Sequence, residues 1–213
     1  MNALWPAETA TASSKVPSLI PRSAPAWLTN PIVDALHRLG ITPSILTLAG
    51  VAGNVGAGIA AGYGEFWIAG AVVLIASSLD FLDGALARRT GTASAFGSVL
   101  DAVMDRVSEA AVLFGLLVYF SDRGDQTETL LIFVAVVGSV LVSYVRARAE
   151  IIGQQMREGI FTRLERVLLI GVGLIAAHFE EDILTVILWV LAVMSSATAV
   201  QRLALVWWKS REA

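Results

Sequence analysis

Residues 66–120 read FWIAGAVVLIASSLDFLDGALARRTGTASAFGSVLDAVMDRVSEAAVLFGLLVYF, two long apolar runs joined by a short polar turn, with aspartates set on either side of that turn. A bilayer core about 30 Å thick is crossed by roughly 20 mostly apolar residues in a helix, and each run is long enough. Working outward, further apolar runs lie near 43–62, 129–150, 164–179 and 183–207, beside these two at 66–88 and 96–120. The pattern predicts an all-α integral membrane protein of six transmembrane helices. Composition agrees: 56% of the 213 residues are hydrophobic and only 15% charged, where a soluble domain carries about a quarter charged residues. There are no cysteines, which excludes disulfides, thiol catalysis and thiolate metal sites.

Ahead of the first run, WLTNPIVDALHRLG (27–40) places Ile32, Val33, Leu36 and Leu39 at helical spacing, opposite Asp34 and Arg38. This predicts a short amphipathic helix closed by Gly40, suited to the membrane interface. Residues 1–25 lack a basic start followed by an apolar stretch. Their Pro6, Pro17, Pro21 and Pro25, among small and polar residues, read as a mobile tail before a transmembrane domain over 26–213.

Orientation follows from the basic residues. With six spans both termini share a side, and Lys15, Arg22, Arg38, Arg88, Arg89, Arg157, Arg163, Lys209 and Arg211 fall on or near it. The opposite loops hold Arg123 as their only basic residue. Both termini, and the turns at 89–95 and 153–162, are therefore expected on the cytoplasmic side of the cell membrane. The first span also carries Ala49, Gly53, Ala57 and Ala61 at four-residue spacing, with Gly50, Gly58 and Gly62, a pattern that lets helices approach closely in lipid.

The carboxylates are the informative exception to this apolarity. Asp80 and Asp83 are three apart and share a helix face, continued by Gly84 and Ala87; Asp101 and Asp105, four apart, share a face of the next helix, with Gly97 one turn earlier. A short turn makes the two helices antiparallel neighbours, so the four carboxylates can converge. Ionised carboxylates in a span are costly and repel one another, and Arg88 and Arg106 cannot neutralise four of them. One or two divalent cations can, and oxygen-only ligands favour Mg²⁺, Mn²⁺ or Ca²⁺ over zinc. An ion-pair network with those arginines and a cation or proton pathway remain as other readings of the same spacing.

Asp80, Asp83, Gly84, Ala87, Arg88, Gly97, Asp101 and Asp105 resemble the signature of the CDP-alcohol phosphatidyltransferase family, D-x2-D-G-x2-A-R-x8-G-x3-D-x3-D, with every spacing met. The resemblance implies that Asp80, Asp83 and Asp101 hold two Mg²⁺ (or Mn²⁺) ions on the diphosphate of a CDP-lipid. Asp105 would contact the second metal and serve as general base on the acceptor hydroxyl. Ser44, Thr47, Gly84, Ala87, Arg88, Ser94 and Gly97 would surround the CDP-lipid, CMP would leave, and a homodimer is expected. The outer halves of the second and third spans, Phe66–Ile75 and Ala110–Tyr119, are almost wholly apolar, which speaks against a divalent-cation carrier.

The acceptor must be read elsewhere. Ser143-Tyr-Val-Arg146-Ala-Arg148-Ala-Glu150 ends the fourth span, and Val200-Gln-Arg202-Leu lies in the last. Arg146, Arg148 and Arg202 suit a phosphorylated acceptor, since guanidinium forks bind phosphate bidentately; the other reading is cytoplasmic-end anchors. Arg146 and Arg148, two apart, do not share a helix face. Arg163, Glu165 and Arg166 could join this set, although ion pairing accounts for them as well. The SYVRARAE, DAVMDR and VQRL segments resemble the branch of the family that joins inositol 1-phosphate to CDP-diacylglycerol, with its archaeal ether-lipid counterparts. Glycerol 3-phosphate as acceptor, an ether CDP-lipid or CDP-inositol as donor, are the nearest rivals. If residues 1–25 are only a tail, a chain lacking them should release CMP from CDP-diacylglycerol as fast as the full chain, measured on purified protein.

Overall fold

The computed structural model describes residues 26–154, 156 and 159–212; the expected tail over 1–25 and Arg157 lie outside them. Seven helices form: α1 Ala26–Arg38, α2 Pro43–Gly62, α3 Phe66–Thr90, α4 Ala95–Arg123, α5 Gln126–Ile151, α6 Arg163–Ala177 and α7 Asp182–Glu212. No strand occurs among the described residues.

Local chemistry sets the boundaries. Pro43 opens α2 behind Thr42, whose hydroxyl accepts from Ile45 N, and Ser94 caps α4 by accepting from Gly97 N at 3.0 Å; both satisfy amides that a helix start leaves unpaired. Thr162 caps α6, its own amide donating to Glu165 Oε2 at 2.9 Å in a reciprocal capping pair. The helices α3 and α4 stop at Gly91 (φ 67°) and Gly124 (φ 80°), where the left-handed backbone suits a residue without Cβ.

The packing is a closed ring. Helix α2 packs on α3 and α4, α3 on α6, α6 on α7, α7 on α5, and α5 back on α4, while α1 lies against the end of α3. Small residues make the α2–α4 crossing. A Cβ on Gly115 would run into the Gly58 backbone, and one on Gly58 would strike the Ala111 carbonyl. Of the small residues expected to mediate close packing, Ala57 and Ala61 are fully buried, Gly53 faces Ala76 on α3, and Ala49 is exposed.

Four helices, α2, α3, α5 and α7, are long and apolar enough to cross a membrane. Outward-facing side chains along them, such as Leu48, Ile59, Ile75, Phe133, Val186 and Trp189, are exposed and apolar, as lipid contact requires. The other two ring members differ for physical reasons. Helix α4 carries Asp101, Asp105, Arg106, Glu109, Asp122 and Arg123, and α6 has only 15 residues. Helix α1 seats Val33 against Leu86 of α3 and joins it through Asp34 and Arg89, while Ile32 and Leu39 stay exposed.

One end of the ring is tied by Tyr119. It stacks edge-on against Phe66 with centroids 4.7 Å apart, donates to Glu181 at 2.7 Å, and lies under the Arg123 guanidinium at 3.6 Å. Gly115→Ala is expected to lower stability by about 1–3 kcal/mol through overpacking. Gly56→Ala, where a Cβ meets nothing within 4 Å, should be neutral or stabilising by up to about 1 kcal/mol; thermal unfolding in detergent compares the two.

Candidate active site

The four aspartates lie at the ring end opposite Tyr119, on α3 and α4; the expectation that these two helices are packed neighbours is corrected, since each packs chiefly on α2 rather than on the other. Asp83 is buried and accepts from Thr47 Oγ1 at 2.5 Å, which ties α2 to α3. Asp80 has a side chain 8% exposed, and its Oδ2 accepts from Arg163 Nη2 at 2.5 Å; the same nitrogen lies 2.9 Å from Asp105 Oδ1. Asp80 fits because residue 50 is glycine: a Cβ there would sit 2.7 Å from Asp80 Oδ1. The small-residue pattern of α2 thus serves the site as well as the packing.

Three of these aspartates line two cavities. One, about 390 Å³, is lined by Ser44, Thr47, Asp83, Gly84, Ala87, Arg88, Ser94, Gly97 and Asp101. Thr92, Ala93, Phe96 and Ser98, from the turn and first residues of α4, complete its wall. The other, about 440 Å³, is lined by Asp105, Arg106, Glu109, Ser143, Arg146, Arg163, Arg166 and Arg202. The residues expected around a CDP-lipid, Asp80 apart, therefore line a single cavity. Asp80 stands behind, held by Arg163, and Asp105 faces the arginine-rich side.

Three of the sequence-named arginines separate here. Arg202 is buried and donates to the Val142 carbonyl at 2.8 Å. Arg146 lines the cavity and pairs with Glu150 at 2.9 Å. Arg148 is exposed and does not line it. Sequence reasoning passed over Glu109, whose two oxygens accept from Arg166 Nε and Nη2 at 2.6 and 2.8 Å in a buried bidentate pair. The signal was present: Asp101, Asp105 and Glu109 recur every four residues, one stripe of α4. Arg163 and Arg166 both make the ion pairs that their position allowed, and both also line the cavity.

The donor set suits hard divalent cations. As they stand, no three carboxylates among the described residues gather closely enough to chelate one ion. Yet the ligands are all oxygen, they come from two helices at one end of the ring, and the guanidinium that bridges Asp80 and Asp105 shows that a cation belongs among these carboxylates.

The profile of CDP-alcohol phosphatidyltransferases matches residues 40–206. The chain belongs to the CDP-alcohol phosphatidyltransferase family. It is 38% identical over 200 residues to the phosphatidylinositol phosphate synthase of Mycobacterium tuberculosis, covering 91% of this chain and 92% of the relative. It is also 38% identical over 177 residues to the archaetidylinositol phosphate synthase of Pyrococcus horikoshii, covering 80% and 86%. A crystal structure of the M. tuberculosis phosphatidylinositol phosphate synthase with CDP-DAG bound superposes with a TM-score of 0.79 at 36% identity, over 85% of this chain and 94% of that one. The same synthase in complex with manganese and citrate gives 0.77 at 36% identity, over 84% and 88%.

In this CDP-alcohol phosphatidyltransferase the ion pairs differ sharply in what they hold. Glu109→Ala strands a buried guanidinium and should destabilise the fold by about 3–5 kcal/mol. Arg89→Ala breaks only the exposed pair with Asp34 and should cost less than about 1 kcal/mol. Chemical denaturation of the two variants in mixed micelles checks the contrast.

Proposed function

We propose that this enzyme moves the phosphatidyl group of CDP-diacylglycerol to inositol 1-phosphate, releasing CMP and giving phosphatidylinositol phosphate. The observation that carries the reading is that three of the aspartates line two cavities of different character. One is lined by the family's nucleotide-side residues, the other by Arg106, Arg146, Arg163, Arg166 and Arg202. Five arginines around one cavity outnumber its carboxylates, Asp105 and Glu109, and a phosphate is what guanidinium groups bind best. The phosphatidylinositol phosphate and archaetidylinositol phosphate synthases among its relatives point the same way.

Asp80, Asp83, Asp101 and Asp105 would hold Mg²⁺ or Mn²⁺, which when bound neutralises the diphosphate and stabilises charge on the departing CMP oxygen. The chain's own residues do the rest. Thr47 fixes Asp83, Gly84 and Gly97 leave space for the nucleotide beside the helix backbones, and Arg88 adds positive charge to that cavity. Asp105, facing the second cavity, takes the proton from the acceptor hydroxyl as its oxygen bonds to the lipid-bearing phosphorus and the bond to CMP breaks. The arginines, with Arg202 set by the Val142 carbonyl, position the acceptor phosphate so that its hydroxyl meets the phosphorus in line.

The same reading has all six ring helices crossing the bilayer. It is supported by the closed ring, in which α4 and α6 each contact two neighbours as the four apolar helices do. Helix α4, with 29 residues, rises about 43 Å; Asp122 and Arg123 lie at its far end, and Glu109 at its midpoint is neutralised by the buried pair with Arg166. The aspartate end faces the cytoplasm, because Arg38, Arg88, Arg89, Arg163, Lys209 and Arg211 gather there and Arg123 lies at the other end. Ile32 and Leu39, left exposed by α1, face the inner interface, and the working assembly is a homodimer.

Purified protein given CDP-diacylglycerol and Mg²⁺ should release CMP with inositol 1-phosphate and not with free inositol or serine. Chelation should stop turnover and Mn²⁺ restore it, and Asp105→Asn should lower kcat at least about 100-fold. Turnover with glycerol 3-phosphate in place of inositol 1-phosphate would overturn the acceptor while keeping the site.

A further inference from the structure

Arg163 stands where a cation bound by the aspartates has to come. Its Nη2 lies 2.5 Å from Asp80 Oδ2 and 2.9 Å from Asp105 Oδ1, so one nitrogen covers oxygens from both α3 and α4. A divalent ion held by Asp80 and Asp105 draws on the same two carboxylates, and two cations so close together repel. Guanidinium and metal therefore compete for the pair.

The neighbouring arginines are held otherwise. Arg166 also has one buried donor without a partner, Nη1, but grips Glu109 with both Nε and Nη2, and Arg106 donates to the Ala102 carbonyl within its own helix. Arg163 is held less completely. Only Nη2 reaches the carboxylates, and its Nε is buried with no hydrogen-bond partner. A charged group fixed through one nitrogen with a buried unpaired donor is poorly satisfied. It also has somewhere to go, since it sits on the first turn of α6 and lines the 440 Å³ cavity on the arginine-rich side.

We propose that Arg163 is an internal counter-cation of the aspartate site that the divalent ion displaces, the guanidinium turning into the arginine-lined cavity as the metal enters. The proposal rests on the aspartates being the metal ligands, and it makes Arg163 a competitor that weakens metal binding. By linkage, whatever holds the guanidinium on the carboxylates lowers metal affinity by the same factor.

The test is Mn²⁺ binding to purified protein without CDP-lipid or acceptor, followed by the electron paramagnetic resonance signal of free Mn²⁺. Arg163→Gln should bind Mn²⁺ more tightly than the wild type, by about fivefold or more. Arg163→Lys should fall between them, because its ammonium keeps the charge but sits on a shorter side chain that reaches the two carboxylates less closely. Without metal Arg163→Gln should melt lower than the wild type, and Mn²⁺ should raise its melting temperature by more. A merely structural arginine would lower the melting temperature without tightening Mn²⁺ binding, and equal or weaker affinity in Arg163→Gln overturns the proposal. Should that variant fail to fold, Arg163→Lys against the wild type decides on the same criterion. Asp101→Asn separates the two levels of failure. If the wild type binds Mn²⁺ and Asp101→Asn does not, only the role of Arg163 is at stake. If neither binds, the metal reading of the aspartates falls and the proposal with it.

Discussion

Everything at the working end of this molecule depends on keeping carboxylates charged inside an apolar bundle. An isolated buried carboxylate is expensive, and its cost falls only when donors or cations surround it. The chain meets this with interhelical links. Thr47 on α2 donates to Asp83, Arg163 on α6 bridges Asp80 and Asp105, and Arg166 on α6 grips Glu109. These links join α2 to α3 and α3 to α6, and reach across the ring from α6 to α4, so the charged residues also brace the bundle at this end. The opposite end needs no such network and is held mainly by apolar packing, with Tyr119 as its polar clasp.

The ring geometry turns one cluster into two compartments. Asp83 and Asp101 line one cavity and Asp105 the other, while Asp80 lines neither and is held by Arg163. The cavity against α2 is lined by small residues, hydroxyls and Arg88; the one against α5, α6 and α7 is lined by arginines. The two cavities thereby differ in charge, and Asp105 lines the arginine-rich one. Gly50 has a part in this, since a larger side chain on α2 would push Asp80 out of line.

Much of this was legible in the chain. The apolar runs near 43–62 and 66–88 became α2 and α3 almost residue for residue, and the run near 183–207 lengthened into α7 through Glu212. The spacing of Asp80, Asp83, Asp101 and Asp105 pointed to a candidate site because side chains three or four apart on a helix share a face whatever the helix packs against, and the resemblance of the eight signature positions pointed to the family. The arginines were harder. Arg163 and Arg166 looked like ordinary residues at a helix start, and only the packing of α6 on α3 brings them to carboxylates 83 and 57 residues away. Glu109 went unremarked because its value lies wholly in a partner on another helix.

By itself, then, the sequence determined what is local or periodic: which segments are apolar enough to be long helices, where capping residues and glycines stop them, and which carboxylates share a face. Only the tertiary structure decided the order of helices around the ring and the division of the site into two cavities. It also decided that Arg163 spans Asp80 and Asp105, and that Arg146 lines the cavity while Arg148 does not. The physical reason is that helix formation and face-sharing follow from spacing along one chain. The meeting of charges across helices depends instead on where small residues such as Gly50, Gly58 and Gly115 let the backbones come together.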